Sequence, residues 1–481
     1  MSLRKKTVSG LMWTFTQQFS VQWINFLVSI VLARILSPAE FGLIAMLSIF
    51  MAIGNTLMDS GLTSSLIRTP NPDERDYSTV FFINLVGSVA FYLILFFTAP
   101  LIADFYNQAI LENIVRVYSL SFIIRAFVGV QSTRLTKAMD FKTQMMIQIP
   151  SVIGGGVLGV VLAHFFNFGV WSLVYMNLFQ VLLSTVQHWL YSGWRPKLMF
   201  DKERFKYHFN FGYKMTLSGI LNTLYLNLYT IIIGKFFSAT QVGFYSRAYS
   251  LRQLPVQNIS TALNKVTYPM FSSINHDDKK LKTAYKKVLQ QVLFWIAPTL
   301  ICLTVLAEPV IRFLLTEKWL PVVPYLQILA IAGIYYPLQS YSFDILKVKG
   351  RSDLHFKVEV IKKIYVTIGV FCAIPFGIYG LLYLQIITNT LSYYVNTYYS
   401  GRLINYPMKE QIKDVIPILG ISIFSGLLTW LLDSVLVKSF PVNDFSRIVI
   451  GGVFYFLIYL GFSNAIKLPA IVDFRHLVLK R

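Results

Sequence analysis

Long apolar runs, cut at intervals by short polar breaks, recur along the whole chain. At about 20 apolar residues per crossing, they predict membrane helices over 11–35, 41–66, 79–102, 113–134, 146–166, 169–191, 213–234, 243–267, 287–307, 321–346, 359–375, 377–399, 412–432 and 446–466. The fold class implied is an all-α polytopic membrane protein of about fourteen transmembrane helices. An even count puts both termini on one side. The basic start, Met1 to Lys6, leads directly into apolar sequence with no small-residue cleavage site, so it reads as an uncleaved first span.

The pattern is duplicated. Ala33 to Gly42 aligns without a gap on Gly234 to Gly243, an offset of 201. Phe168-Gly169-Val170-Trp171-Ser172-Leu173 matches Phe376-Gly377-Ile378-Tyr379-Gly380-Leu381 at an offset of 208, with Tyr175 and Tyr383 in register. Six spans separate the copies, so both halves enter the membrane in the same orientation, as parallel-repeat transporters do. The expected division is an N-terminal lobe of six spans (1–191), a basic amphipathic linker at the cytoplasmic interface (192–212), a C-terminal lobe of six spans (213–399), and two extra spans with a cytoplasmic tail (400–481).

Composition sharpens this picture. Of 481 residues, 55% are hydrophobic and 14% charged, against about 25% charged in soluble domains. That excludes a large soluble catalytic domain. With the N-terminus in the cytoplasm, 33 of the 43 Lys and Arg fall on the cytoplasmic side, about seven on the other face, and three inside spans. The net charge of +21 is therefore a positive-inside signal facing anionic lipid headgroups, and no nucleic-acid partner is expected. Cys302 and Cys372 lie in apolar runs, and the six histidines are scattered without ligand spacing. With no phosphate loop, HExxH or nucleophile elbow, the chain is expected to be no enzyme, to need no cofactor or metal, and to use no ATP itself.

Polar residues inside the spans carry the candidate chemistry. Thr14, Gln18, Gln22, Asn25 and Ser29 line one face of span one, and Thr216, Thr223, Asn227 and Thr230 answer in span seven. Two readings stay open, hydrogen bonding between helices or the wall of a hydrated cavity. Arg125 sits mid-span four, where an arginine costs roughly 2.5–3.5 kcal/mol. Arg252 lies two turns into span eight, just before Pro255, which should kink or break that helix, and Arg247 is one turn nearer the outside. Arg125 and Arg252 predict a water-filled, anion-binding cavity. Asp59 in span two could pair with an arginine, and Arg247 could snorkel to the headgroups. Arg34 and Lys235 are repeat-equivalent and end the two lead helices, where snorkelling explains them equally well. Tyr393, Tyr394, Tyr398 and Tyr399 form an aromatic belt, with sugar stacking as the other reading.

The run Val242 to Pro255 resembles the span-eight signature of polysaccharide-unit flippases of the colanic-acid-exporter kind. Leu36 to Met46, Asp59-Ser60-Gly61-Leu62 and Tyr268-Pro269 fit the same group. Over nearly its full length the chain is similar to the polysaccharide transporter (Wzx-type) branch of the multidrug/oligosaccharidyl-lipid/polysaccharide superfamily. The resemblance implies two helical lobes working by alternating access. The implied cargo is an undecaprenyl-pyrophosphate-linked oligosaccharide, moved to the outer leaflet of the bacterial cytoplasmic membrane for cell-surface polysaccharide synthesis. Polymerase and glycosyltransferase machinery would be its partners. Arg247 and Arg252 are carried over with the motif, whereas Arg125 and Asp59 rest on depth and charge. Gln18, Gln22, Asn25 and Asn227 would meet the sugars, with Arg34 and Lys235 as lesser candidates. A cation-coupled multidrug or small-solute antiporter of the same superfamily is the alternative, but Asp59 and Asp344 both lie toward cytoplasmic span ends. A membrane glycosyltransferase would want a larger outer loop than the roughly fifteen residues available.

Overall fold

The computed structural model describes residues 3–59 and 61–479, and their side chains except those of 3–9, 11, 59, 214, 261–266, 474 and 476–479. Among the described residues every regular element is a helix. Ten stretches are long and apolar enough to cross a membrane, or twelve if each of two bent pairs is one span. The count differs from fourteen at two places. Helix 239–273 is too polar to qualify, since it carries Arg247, Arg252, Gln253, Gln257 and Asn258, and 352–403 counts once although a 3-10 turn interrupts it.

The chain forms two compact units, Met1–Gly243 and Phe244–Arg481. The first begins with α1 (Leu3–Ile35), α2 (Pro38–Asp59), α3 (Leu62–Arg68) and α4 (Glu74–Tyr106). Span four is broken into α5 (Ile110–Tyr118), α6 (Leu120–Ala126) and α7 (Gly129–Lys137), with a 44° bend before α7. Then come α8 (Phe141–His164) and α9 (Val170–Tyr191). Span seven is also broken, into α10 (Lys202–Leu226) and α11 (Leu228–Phe236), bent by 51° at Asn227. Helix α12 (Ala239–Ser273) runs on through Pro255, so that proline does not end it.

Span seven packs with the first unit. Thr223 meets Thr56 at 3.2 Å, and the Ser48 hydroxyl donates to Asn227 at 3.5 Å. The segment 192–212 is tied to the first unit by side-chain contacts. Its first part lies along α4, where the Trp194 indole donates to Glu74 at 2.9 Å and the Lys197 N–H donates to Ser78 at 3.1 Å. Residues 202–212 are the first turns of α10. There His208 is fully buried between Asp76 (3.1 Å) and Ser65 (2.7 Å).

The duplicated motifs have local physical causes. Ser37 and Glu40 form a capping box at the start of α2. The Ser37 N–H donates to Glu40 Oε2 at 2.6 Å, and the Glu40 N–H donates to Ser37 Oγ at 3.4 Å. Ser238 and Gln241 repeat it at the start of α12, with both bonds at 3.3 Å. In the second motif, Gly169 and Gly377 have φ of 55° and 71°, the left-handed region that favours glycine, each at a helix start. A third equivalence is an ion pair on each of two short helices. Glu112 pairs with Arg116 at 2.8 Å, and Glu308 pairs with Arg312 at 2.7 Å, each one turn apart on a short amphipathic helix.

The second unit continues with α13 (Asp278–Val305), α14 (Ala307–Leu315), α15 (Val322–Val348), α16 (Ser352–Ala373) and α17 (Gly377–Leu403). It closes with α18 (Met408–Ser439), α19 (Asp444–Ala465) and α20 (Pro469–Leu479). Its core is aromatic and aliphatic, built on α13 and α15. Three buried phenols find partners: Tyr285 bonds Ser342 at 2.7 Å, Tyr455 donates to the Ser422 carbonyl at 3.0 Å, and Tyr459 donates to the Phe294 carbonyl at 2.8 Å.

Candidate functional site

Arg125 occupies the last turn of α6, immediately before the break in span four. Irregular backbone at membrane depth persists where protein or a wet cavity takes up its freed polar groups. Both occur here. Thr185 donates to the Ile124 carbonyl at 3.3 Å and the Trp189 indole to the Phe127 carbonyl at 2.9 Å. Beside the break lies a cavity of about 350 Å³ within the first unit. Its wall includes one guanidinium (Arg125), four side-chain amides (Gln17, Gln144, Gln148, Gln180), hydroxyls such as Ser132, Thr133 and Ser184, and His188, beside the apolar Ile67, Val128 and Val181, and no carboxylate among the described residues. Such a lining offers donors and one positive charge, which suits a hydroxyl-rich anion. Arg125 is exposed to this space.

Arg252 has a different setting, in the second unit. Only 7% of it is exposed, and its Nε is buried without a hydrogen-bond partner. The guanidinium carbon lies 5.2 Å from the centre of the Tyr249 ring. Room for it comes from Gly333 on α15, where a Cβ would sit 2.8 Å from Arg252 Nε. No carboxylate among the described residues pairs with it. A buried cation left unpaired is costly, and an anion arriving at the site relieves that cost. Arg247, 8% exposed, lies with its guanidinium 5.5 Å over the Trp319 ring, so it is held inside the unit and not snorkelled.

The remaining candidates are dispersed. Asp59 ends α2, and its side chain lies outside the described residues. Gln18 and Asn25 are exposed and Gln22 is half-buried, and none of the three lines the cavity; the α1 residue that does is Gln17. Asn227 sits in the break of span seven, where its amide donates to the Thr223 carbonyl at 2.9 Å and its Oδ1 accepts from Ser48. Lys235 donates to the Phe105 carbonyl at 2.8 Å and sits 4.8 Å over that ring, an anchoring contact. Arg34 is exposed at the end of α1. Sequence reasoning missed the glutamines, although Gln144 and Gln148, and Gln180, Ser184 and His188, each form a one-turn stripe. A second, apolar cleft of about 670 Å³ lies in the second unit among α13, α15, α17 and α18, lined by Ile301, Ile334, Leu338, Leu419 and Trp430 among others.

Comparison with known proteins gives this geometry a family. A profile described as polysaccharide biosynthesis protein matches residues 31–324. The chain is 28% identical over 406 residues to the lipopolysaccharide biosynthesis protein WzxC of Escherichia coli (strain K12), covering 82% of each. It is 27% identical to the teichuronic acid biosynthesis protein TuaB of Bacillus subtilis (strain 168), covering 74% of each. Among solved structures, the lipid II flippase MurJ in an inward closed conformation matches with a TM-score of 0.75 at 14% identity, over 96% of this chain and 100% of that one. An inward-facing MATE multidrug transporter of the MOP superfamily matches with a TM-score of 0.65 at 16% identity, over 80% of this chain and 94% of that one. The two structural likenesses concern the fold. With the profile spanning more than half its length, the chain belongs to the polysaccharide biosynthesis protein family, on the fold of the MOP superfamily.

Proposed function

We propose that the protein is a flippase that moves undecaprenyl-pyrophosphate-linked oligosaccharide units across the bacterial cytoplasmic membrane by alternating access, with both termini cytoplasmic. The observation that carries this reading is the polarity of the cavity beside Arg125, which has a guanidinium, four amides and, among the described residues, no carboxylate. Hydrocarbon does not accept a pyrophosphate, whereas a wet cavity with a guanidinium does. Arg252, buried and without a carboxylate, offers a second place for negative charge. The apolar cleft of about 670 Å³ has the chemistry to accept part of a polyprenyl chain. Relatives named for lipopolysaccharide and teichuronic acid biosynthesis support the substrate class. A cation-coupled antiporter would want a carboxylate where this cavity has Arg125.

The test is reconstitution. Purified protein in liposomes should move a fluorescent polyprenyl-pyrophosphate oligosaccharide between leaflets faster than protein-free liposomes. Export of a lipophilic cation with no movement of the lipid-linked sugar would replace this reading by the antiporter.

A further inference from the structure

At the C-terminal end of α17 a pocket of about 450 Å³ opens beside Tyr394, Tyr398, Arg402 and Asn405. The three α17 residues are one turn apart and share one helix face. The Tyr394 and Tyr398 rings are exposed and stacked, with centroids 6.5 Å apart and planes at 30°. Arg402 extends the ladder, its guanidinium carbon 4.0 Å over the Tyr398 ring. No carboxylate among the described residues pairs with Arg402, so its N–H groups are available to an anion.

The far wall is fixed by the turn that follows. The Tyr406 N–H donates to the Gly401 carbonyl at 2.9 Å, and Asn405 takes a left-handed φ of 50°. Buried Tyr406 is tied by its hydroxyl to Asp414 at 2.6 Å, and Lys282 donates to the Asn405 carbonyl at 2.9 Å. An ordinary interfacial tyrosine belt needs neither a concave wall nor a stacked, unpaired guanidinium. Aromatic faces are electron-rich and take the polarised C–H face of a pyranose, while a stacked guanidinium takes phosphate oxygens two at a time.

We propose that this pocket receives the headgroup of a membrane lipid carrying a sugar on phosphate, the ring lying against Tyr394 and Tyr398 and the phosphate against Arg402. The inference rests on the flippase reading and adds a loading site to it, apart from the residues that line the cavity and from Arg252. An anionic glycerophospholipid shares the phosphate but lacks the pyranose, and that difference separates the two sources.

The experiment uses the full-length protein in nanodiscs and a farnesyl-pyrophosphate-linked N-acetylhexosamine bearing a diazirine on the sugar. After irradiation, labelled peptides are mapped by mass spectrometry. Label is expected within 394–407, reduced about ten-fold by Tyr398→Ala and by Arg402→Ala, and retained in Tyr398→Phe, which keeps the ring face and controls for folding. Excess dihexanoyl phosphatidylglycerol should compete poorly. Label confined to other segments, or label in 394–407 that both alanine variants keep, overturns the site and leaves the flippase reading standing. Full displacement by phosphatidylglycerol overturns the sugar assignment. No labelling anywhere overturns both readings.

Discussion

Gly42 and Gly243 hold equivalent places in the two repeats, and each packs against the other's helix start. A Cβ on Gly42 would collide with the Ala239 carbonyl and lie 3.0 Å from the Gly243 nitrogen. A Cβ on Gly243 would collide with the Pro38 carbonyl and lie 3.3 Å from the Gly42 nitrogen. Pro38 and Ala239 are themselves repeat partners. The contact is therefore reciprocal, as a local two-fold relation between duplicated segments requires. The same ten residues supply the capping serine and its Glu or Gln partner, so one short motif both starts the helix and brings it close to its counterpart.

Because the obstructing atoms are backbone, Gly42→Ala or Gly243→Ala must push the two helix starts apart. Each is expected to cost about 1–3 kcal/mol, read as a lower melting temperature in detergent. The double variant should cost less than the two singles combined, since one separation relieves both clashes. Gly452→Ala, which meets nothing within 4 Å, is the neutral control.

Arg252→Ala should leave melting temperature unchanged or raised while transport falls, because it removes a buried charge that no carboxylate balances. Gly333→Ala should lower transport by another route, taking the space that Arg252 Nε now fills, with a fall in melting temperature because the charge stays and the packing tightens. A clear loss of stability in Arg252→Ala would mean that the guanidinium is a structural tie.

Charged pairs with full partners should behave in the opposite way. Arg447 makes a two-pronged contact with Asp433 at 2.9 and 2.7 Å and is 8% exposed. Its replacement by alanine is expected to destabilise by about 3–5 kcal/mol. Arg116→Ala, breaking a half-exposed pair with Glu112, should cost only about 0.3–0.5 kcal/mol.

The sign of charge in the first-unit cavity can be tested directly. Gln148→Glu places a carboxylate in the same wall as Arg125, whereas Gln148→Ala only trims it. Transport of lipid-linked sugar should fall further in the glutamate variant. The reverse order, or a gain of cation export in Gln148→Glu without loss of sugar transport, would argue against an anion in this cavity.

Much of this architecture is legible in the chain. Period and length announce the helices, and the motif around Ser37 and Ser238 announces both the duplication and two helix starts. The broken spans are not legible, because 113–134 and 213–234 read as continuous apolar runs, and the residues at the breaks (Phe127, Val128, Asn227) include neither glycine nor proline. The arginines stand out because charge is expensive in hydrocarbon. The cavity's amides do not, since a glutamine stripe also serves ordinary helix packing, as Thr223 and Asn227 do against α2. A stripe phased on Thr14 selects Gln18 and not Gln17, because one residue turns a helix by about 100°.

The most direct measurement is leaflet-to-leaflet movement of a defined polyprenyl-pyrophosphate oligosaccharide in liposomes holding wild-type protein, Arg125→Ala, Arg252→Ala or the double variant, at matched insertion. Wild type should flip the lipid, and each arginine variant should slow it by about ten-fold or more, the energy of a lost charge-assisted hydrogen bond. Unimpaired flipping by the double variant would contradict the claim that these two guanidinium groups carry the pyrophosphate.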